Sequence, residues 1–195
     1  LYGDNKGNLM PRGKANRAQV AAILTRVFGL TTGKGLTQFD DVSKSEWYYD
    51  PLSVAAEMRI MLGDADFHMR PNDPITRQEA FVVIARTFSI PTGKAATLSQ
   101  FEDGDTVAKW AQAQLAGMVE NGFLNGTNSG RLNPNADISR AEIAQVLYKM
   151  GIVFFSDPSD LPEDGGQGFV LKPVAAVLDS EPVLTEEIGR ASCRE

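Results

Sequence analysis

Asp73-Pro74-Ile75-Thr76-Arg77-Gln78-Glu79-Ala80 decides how this chain reads, because its core recurs as Asn16-Arg17-Ala18-Gln19 and as Ser139-Arg140-Ala141-Glu142. Each Arg has a Pro six residues before it and a Gly fourteen residues before it: Pro11 and Gly3, Pro71 and Gly63, Pro134 and Gly126. A spacing kept three times identifies one unit used three times. Asn16, Thr76 and Ser139 are good N-caps, and Gln19, Glu79 and Glu142, three positions on, complete capping boxes. Apolar residues follow each Arg at +3, +4 and +7 (Val20, Ala21, Leu24; Ala80, Phe81, Ile84; Ile143, Ala144, Leu147), which is one buried helical face.

The Arg stands at the first helical position, where the macrodipole disfavours a cation by roughly 0.3–1 kcal/mol. Helix chemistry alone does not select it. A guanidinium beside free N–H groups at a helix N-terminus suits a carboxylate or phosphate held in a bidentate fork, so Arg17, Arg77 and Arg140 are candidate anion-binding residues. The alternative is an internal pair, with Asp73 or Asp137 as partner in the second and third copies; in the first copy Gly13 and Lys14 stand there instead.

The second and third copies also have a front half. Phe39-Asp40-Asp41-Val42 leads to Trp47 and to a helix expected to be capped by Asp50, with Pro51 in its first turn, running through Met58. Phe101-Glu102-Asp103 leads to Trp110, and each Trp lies sixteen residues before the loop Gly. Leu52 corresponds to Leu115, Ala56 to Val119 and Ile60 to Phe123 as inward positions. The first copy lacks this half, so the chain reads as truncated at its N-terminus. Trp47 and Trp110 are open between core anchoring and lining a sugar-binding groove.

Composition bounds the function. A chain of 195 residues, 43% hydrophobic and 23% charged, can form one or two cored domains. A net charge of -6 argues against a nucleic-acid partner, and no apolar run reaches the length for membrane insertion. His68, the single histidine, is matched by Asn8 and Arg131 in the other copies, so no shared catalysis rests on it. With no His/Cys cluster and no P-loop, no metal, no cofactor and no catalytic residue is expected. Glu57 and Glu120 read as solvated or internally paired acids.

The Phe-x-Asp-Val opening, the Trp, the Gly-containing loop, the Pro and the Thr-Arg-Ala-Glu type of helix start together resemble the S-layer homology (SLH) domain. The chain departs from that pattern at Asn16, at Gln78 in place of Ala, at Gly104 in place of Val, and at Arg59, where Gly122 supplies the usual Gly. The resemblance implies an all-α fold of tandem helix-loop-helix SLH repeats, packed as a pseudo-threefold, trimer-like assembly around a central helix bundle, with the first repeat truncated. Its expected boundaries are 1–38 for the end of repeat 1, 39–100 for repeat 2 and 101–155 for repeat 3. An acidic Pro/Gly linker and the possible start of a further domain occupy 156–186, with strand-like segments at 169–171 and 174–178. Residues 187–195, with Cys193, resemble a non-native read-through tail.

The resemblance further implies a non-catalytic cell-envelope anchor. Grooves between repeats would bind secondary cell-wall polymer, a pyruvylated amino-sugar polysaccharide, or a peptidoglycan-linked polymer. Arg17, Arg77 and Arg140 would contact the polymer's anion, and Gly3, Gly63, Gly126, Trp47, Trp110, Asp41 and Asp103 would line the grooves. The expected partners are cell-wall polysaccharide and a cargo domain on the same polypeptide, and the expected location is the extracellular bacterial cell wall or S-layer, the signal peptide having gone with the truncated N-terminus. The rival reading is a structural helical-repeat protein-interaction module without carbohydrate binding.

Overall fold

A computed structural model describes residues 8, 10–27, 33 and 35–154. It contains five α-helices, α1 (Arg17–Val27), α2 (Tyr49–Glu57), α3 (Arg77–Thr87), α4 (Lys109–Glu120) and α5 (Arg140–Phe154), and two 3-10 segments, Ala95–Gln100 and Gly104–Thr106. Among the described residues there is no strand, only three isolated β-bridges. Gly3, the linker, the strand-like segments and the tail lie outside the described residues.

The described residues form two compact units. In the unit of 17–27, 33 and 35–73, α1 packs on α2. Val20, Ala21 and Leu24 are buried as their spacing predicts, in a core that includes Leu52, Ala55 and Met69. Helix α2 begins at Tyr49, one residue before the expected Asp50 cap, and no side chain caps it. A turn ending in Tyr49 N–H to Glu46 O (3.0 Å) delivers the chain already curled, so Asp50 lies inside the first turn and acts on the dipole instead of as a cap. The helix stops at Met58 because Arg59 turns left-handed (φ 56°), as Gly122 does after α4 (φ 76°).

The other unit comprises 8, 10–16 and 74–154, where α3 packs on α4. Thr76 and Glu79 form the expected capping box, and Ser139 and Glu142 form another: Ser139 N–H donates to Glu142 Oε2 at 2.7 Å and Glu142 N–H to Ser139 Oγ at 3.3 Å. Gln78, a departure from the family pattern, is buried and links α3 to the start of α4, accepting from Ala108 N–H at 3.0 Å and donating to Asn135 Oδ1 at 2.8 Å. On α5 the buried face is Ile143, Val146 and Met150, with Ala144 and Leu147 only half-buried.

At the centre of this unit Ile75 N–H donates to Ala15 O, Ala15 N–H to Ile138 O and Ile138 N–H to Ile75 O, at 3.0–3.2 Å. The three residues come from the three repeats and are essentially inaccessible to water. Each precedes its repeat's Arg by two positions, so within this unit the ring also sets where α3 and α5 begin.

A non-Gly residue in the left-handed region costs roughly 1–2 kcal/mol, whereas Gly adopts it freely at a smaller entropic cost. Arg59→Gly should therefore raise the unfolding free energy by about 1 kcal/mol in urea titration. An unchanged or lowered midpoint would refute this account of the α2 terminus.

Candidate ligand groove

The sequence assigns free N–H groups to the three helix starts. Those groups are taken. Arg77 N–H donates to Ala136 O (2.8 Å) and Gln78 N–H to Pro134 O (3.0 Å), both carbonyls of the next repeat's Pro turn. Arg17 and Ala18 donate in the same way to Asp73 O and Pro71 O, and Arg140 and Ala141 to Gly13 O and Pro11 O. The expectation of an anion held on free helix N–H groups is thus corrected: in all three copies, carbonyls of a Pro turn satisfy these orphan donors of the helix start.

Arg77 is buried, 6% exposed. Its Nε donates to Leu132 O at 2.7 Å, its Nη1 pairs with Glu142 Oε1, and the guanidinium lies over the Phe81 ring, 5.1 Å from the centroid. The partner is neither of the upstream aspartates; it is the capping-box glutamate of the following repeat, whose other oxygen accepts from Ser139. Burial raises the Glu142 pKa, but the Ser139 hydroxyl and N–H, with the charges of Arg77 and Lys14, outweigh it and hold the carboxyl below its usual range. Arg17 shares the first of these contacts, its Nε donating to Met69 O at 2.7 Å.

The aspartates meet the same loop residues from the other side. Asp103 accepts from Leu132 N–H (2.7 Å) and Asn133 N–H (2.8 Å), and Asp41 from Met69 N–H (2.9 Å) and Arg70 N–H (2.6 Å). Both oxygens of each carboxylate are spent on the loop backbone, and Asp103 is buried. Gly126 and Gly63 have positive φ, and a Cβ on either would press into the Phe101 or Phe39 ring. Trp47 is 56% exposed and meets Tyr48 edge-on at 5.4 Å, so it is not a core anchor. Trp110 is half-buried on α4.

Of the expected residues, Arg77 and Gly126 are brought together, in a cleft of about 510 Å³. Its floor is Arg77, Phe81 and Phe123, one wall is the loop 124–129, and the other is a stripe of α5. That stripe, Glu142, Gln145, Val146 and Lys149, follows i, i+3, i+4, i+7 spacing and is legible in the sequence. Lys149 stands nine residues after Arg140, as Arg26 does after Arg17 and Arg86 after Arg77, a recurrence that the capping motif by itself does not single out. With the Asn125 amide oriented to satisfy its neighbours, its oxygen accepts from Lys149 Nζ at 3.2 Å. Asp103 does not reach this lining; Glu142 is the one carboxylate among the described residues that do, and Arg77 already neutralises it. Among the described residues no group of His, Cys, Asp or Glu is arranged to hold a metal ion, and no helix is long and apolar enough to cross a membrane.

The family model described as S-layer homology domain matches residues 38–81 and 100–144. The chain is 34% identical over 152 residues, 76% of its length, to a surface-layer 125 kDa protein of Lysinibacillus sphaericus, of which it covers 13%. It is 28% identical to the exoglucanase XynX of Acetivibrio thermocellus, covering 71% of the chain and 13% of that protein. To a cellulosome-anchoring protein of the same species it is 28% identical, over 76% of the chain and 34% of the relative. The chain thus spans about an eighth to a third of the length of these relatives.

Two outcomes follow from the Arg77–Glu142 contact. Arg77→Ala should lower the unfolding free energy by about 2–3 kcal/mol, since it strands Leu132 O and a partly buried carboxylate; a loss below about 0.5 kcal/mol in denaturant titration would sink the structural role. A carboxyl whose folded pKa is depressed contributes stability that is full above the ordinary Glu range and is lost as pH falls below about 4. Glu142→Gln should therefore flatten the acid limb of stability measured by thermal melts from about pH 6 to about pH 3, and an unaltered limb would contradict the assigned ionisation.

Proposed function

Because the chain carries S-layer homology domain repeats, we propose that it is a cell-surface anchoring module whose repeat 2–repeat 3 groove binds an anionic cell-wall polymer. The observation that supports this most is the cleft beneath Gly126. It has the volume of a small-ligand site, a cationic end at Lys149, and hydroxyl and amide groups at Asn125, Thr127, Asn128 and Ser129 able to exchange hydrogen bonds with sugar hydroxyls. A pyruvate ketal on an amino sugar offers the carboxylate that Lys149 and the guanidinium edge of Arg77 would meet. A second cleft of similar volume, beside 95–105, carries Glu102 and Asp105 and no cation among its described lining, and so does not suit that ligand.

The reading includes the pseudo-threefold arrangement of repeats around a central bundle, supported by the ring of Ala15, Ile75 and Ile138. It also includes the repeat boundaries given above, a location at the bacterial cell surface, and, for Arg17 and Arg140, helix-start positions equivalent to that of Arg77. Trp47, exposed as it is, keeps a groove-lining role. Relatives named as surface-layer and cellulosome-anchoring proteins favour anchoring. On this reading the repeats themselves do no chemistry. No step of the proposed binding uses a metal or a cofactor.

Purified cell-wall polymer should sediment the protein in the presence of chelator, and chemical removal of pyruvate should abolish this; equal sedimentation with depyruvylated polymer would remove the pyruvate carboxylate from the site, and no sedimentation with either polymer would leave the protein-interaction reading in possession. Lys149→Ala should weaken binding about tenfold or more, as for a lost charged hydrogen bond, while changing stability by less than about 0.5 kcal/mol. Undiminished affinity would remove Lys149 from the site.

A further inference from the structure

The two complete repeats carry the same loop with different chemistry. Residues 125–130 read Asn-Gly-Thr-Asn-Ser-Gly, and the equivalent 62–67 read Leu-Gly-Asp-Ala-Asp-Phe. The backbones are held alike. Thr127 N–H donates to Arg131 O at 2.8 Å and Asp64 N–H to His68 O at 2.9 Å; Gly130 N–H donates to Thr127 O at 2.9 Å and Phe67 N–H to Asp64 O at 3.2 Å. Phe67 even takes the left-handed conformation of Gly130, with φ 59° against 69°. In both loops the side chain after Gly closes the turn, Thr127 Oγ1 accepting from Arg131 N–H at 3.3 Å and Asp64 Oδ1 from His68 N–H at 2.9 Å.

With the path shared, the side chains alone separate the two loops. We propose that Asp64 and Asp66 bar the repeat 2 loop from the anionic sugar that the repeat 3 loop accepts, so that of these two loops only 125–130 engages it. The inference rests on the anionic-polymer reading of the preceding section. Across 125–133 the one Asp, Glu, Lys or Arg is Arg131, whereas 62–70 carries Asp64, Asp66 and Arg70, with His68 Nε2 3.2 Å from Asp40 Oδ1. Arg70 pairs with Asp64 at 3.2 Å, and Asp66 is exposed with no cation at ion-pair distance among the described residues. An approaching carboxylate therefore meets like charge at 64–66 and neutral hydroxyls at 127–129, and like-charge juxtaposition discriminates strongly between otherwise similar sites. The replacement of Asn125 by Leu62 and of Gly130 by Phe67 removes an amide and adds exposed apolar surface, so the repeat 2 loop also offers fewer sugar-hydroxyl partners.

The test is a two-dimensional NMR titration of the full chain with the methyl glycoside of a pyruvylated amino sugar, followed at the amides of both loops. In the unaltered protein the amides of 125–130 should shift and those of 62–67 should not. Asp64→Thr with Asp66→Ser should make 62–67 respond, and the reciprocal Thr127→Asp with Ser129→Asp should weaken binding at 125–130 by about tenfold or more. The reciprocal variant keeps the turn, because Asp64 already closes the same turn in repeat 2. Equal response of both loops in the unaltered protein, or no change in either variant, would overturn the inference while leaving the proposed function intact. No response anywhere would overturn both.

Discussion

Three buried amides, those of Ala15, Ile75 and Ile138, donate around a closed circle of backbone carbonyls, and the positions where α3 and α5 start follow from it. A buried N–H or C=O left unpaired costs about 1–3 kcal/mol, so removing any one of the three segments would strand partners on the other two. Immediately beyond Ile75 and Ile138 is a cap, Thr76 or Ser139, and immediately beyond each cap are two N–H groups aimed at a Pro turn. Those turns are held in an unfavourable shape: Met10, Arg70 and Asn133 all precede Pro and all sit at φ 48–50°. Such a conformation persists only where its surroundings over-determine it. Asp41 and Asp103 supply that constraint in the second and third repeats, each fixing two successive N–H groups at the bend.

The same logic explains why the position after the cap is Arg when the dipole disfavours a cation there. Leu132 is gripped from both sides, its N–H by Asp103 and its carbonyl by Arg77, and the guanidinium has donors left over for Glu142. Lys, a point charge on a flexible stem, cannot reach a carbonyl and a carboxylate with one fixed fork. The repeat therefore uses its own capping box twice: one oxygen of Glu142 closes the helix of repeat 3, and the other receives the Arg of repeat 2. Local helix chemistry and repeat-to-repeat cohesion share one side chain.

What the sequence discloses is what is local. The caps of Thr76 and Ser139 and the buried faces of α1 and α3 follow from residue type at short spacing. The partner of Arg77 lies 65 residues away and the N–H groups of Leu132 and Asn133 reach back 29 and 30, and no periodicity encodes such separations. Hence a reading of neighbours along the chain arrives at Asp73 and Asp137 and not at Glu142. The α2 start departs from expectation for a different reason: Asp50-Pro51 has the residue types of a cap, but the turn through Glu46 has already set the curl. Lys149 is legible only when all three helices are aligned past their apolar faces, where its +9 recurrence with Arg26 and Arg86 becomes visible.

A site built this way divides its charges between holding the fold and holding a ligand. Arg77 is committed on three sides, by a carbonyl, a carboxylate and an aromatic face, and its cation is balanced before any ligand arrives. The cleft's remaining positive charge is Lys149, whose hydrogen bond among the groups described is to the Asn125 amide, so the charge that the proposed anion would meet resides in a residue on which the helix starts do not depend. Within each complete repeat the turn that frames the loop can be closed by Thr or by Asp without altering its path. Repeats bound to one another through recurring backbone contacts are thereby free to differ in the charge of the loop, and on the proposed reading it is at the loop, more than at the Arg that defines the motif, that this architecture would vary what it binds.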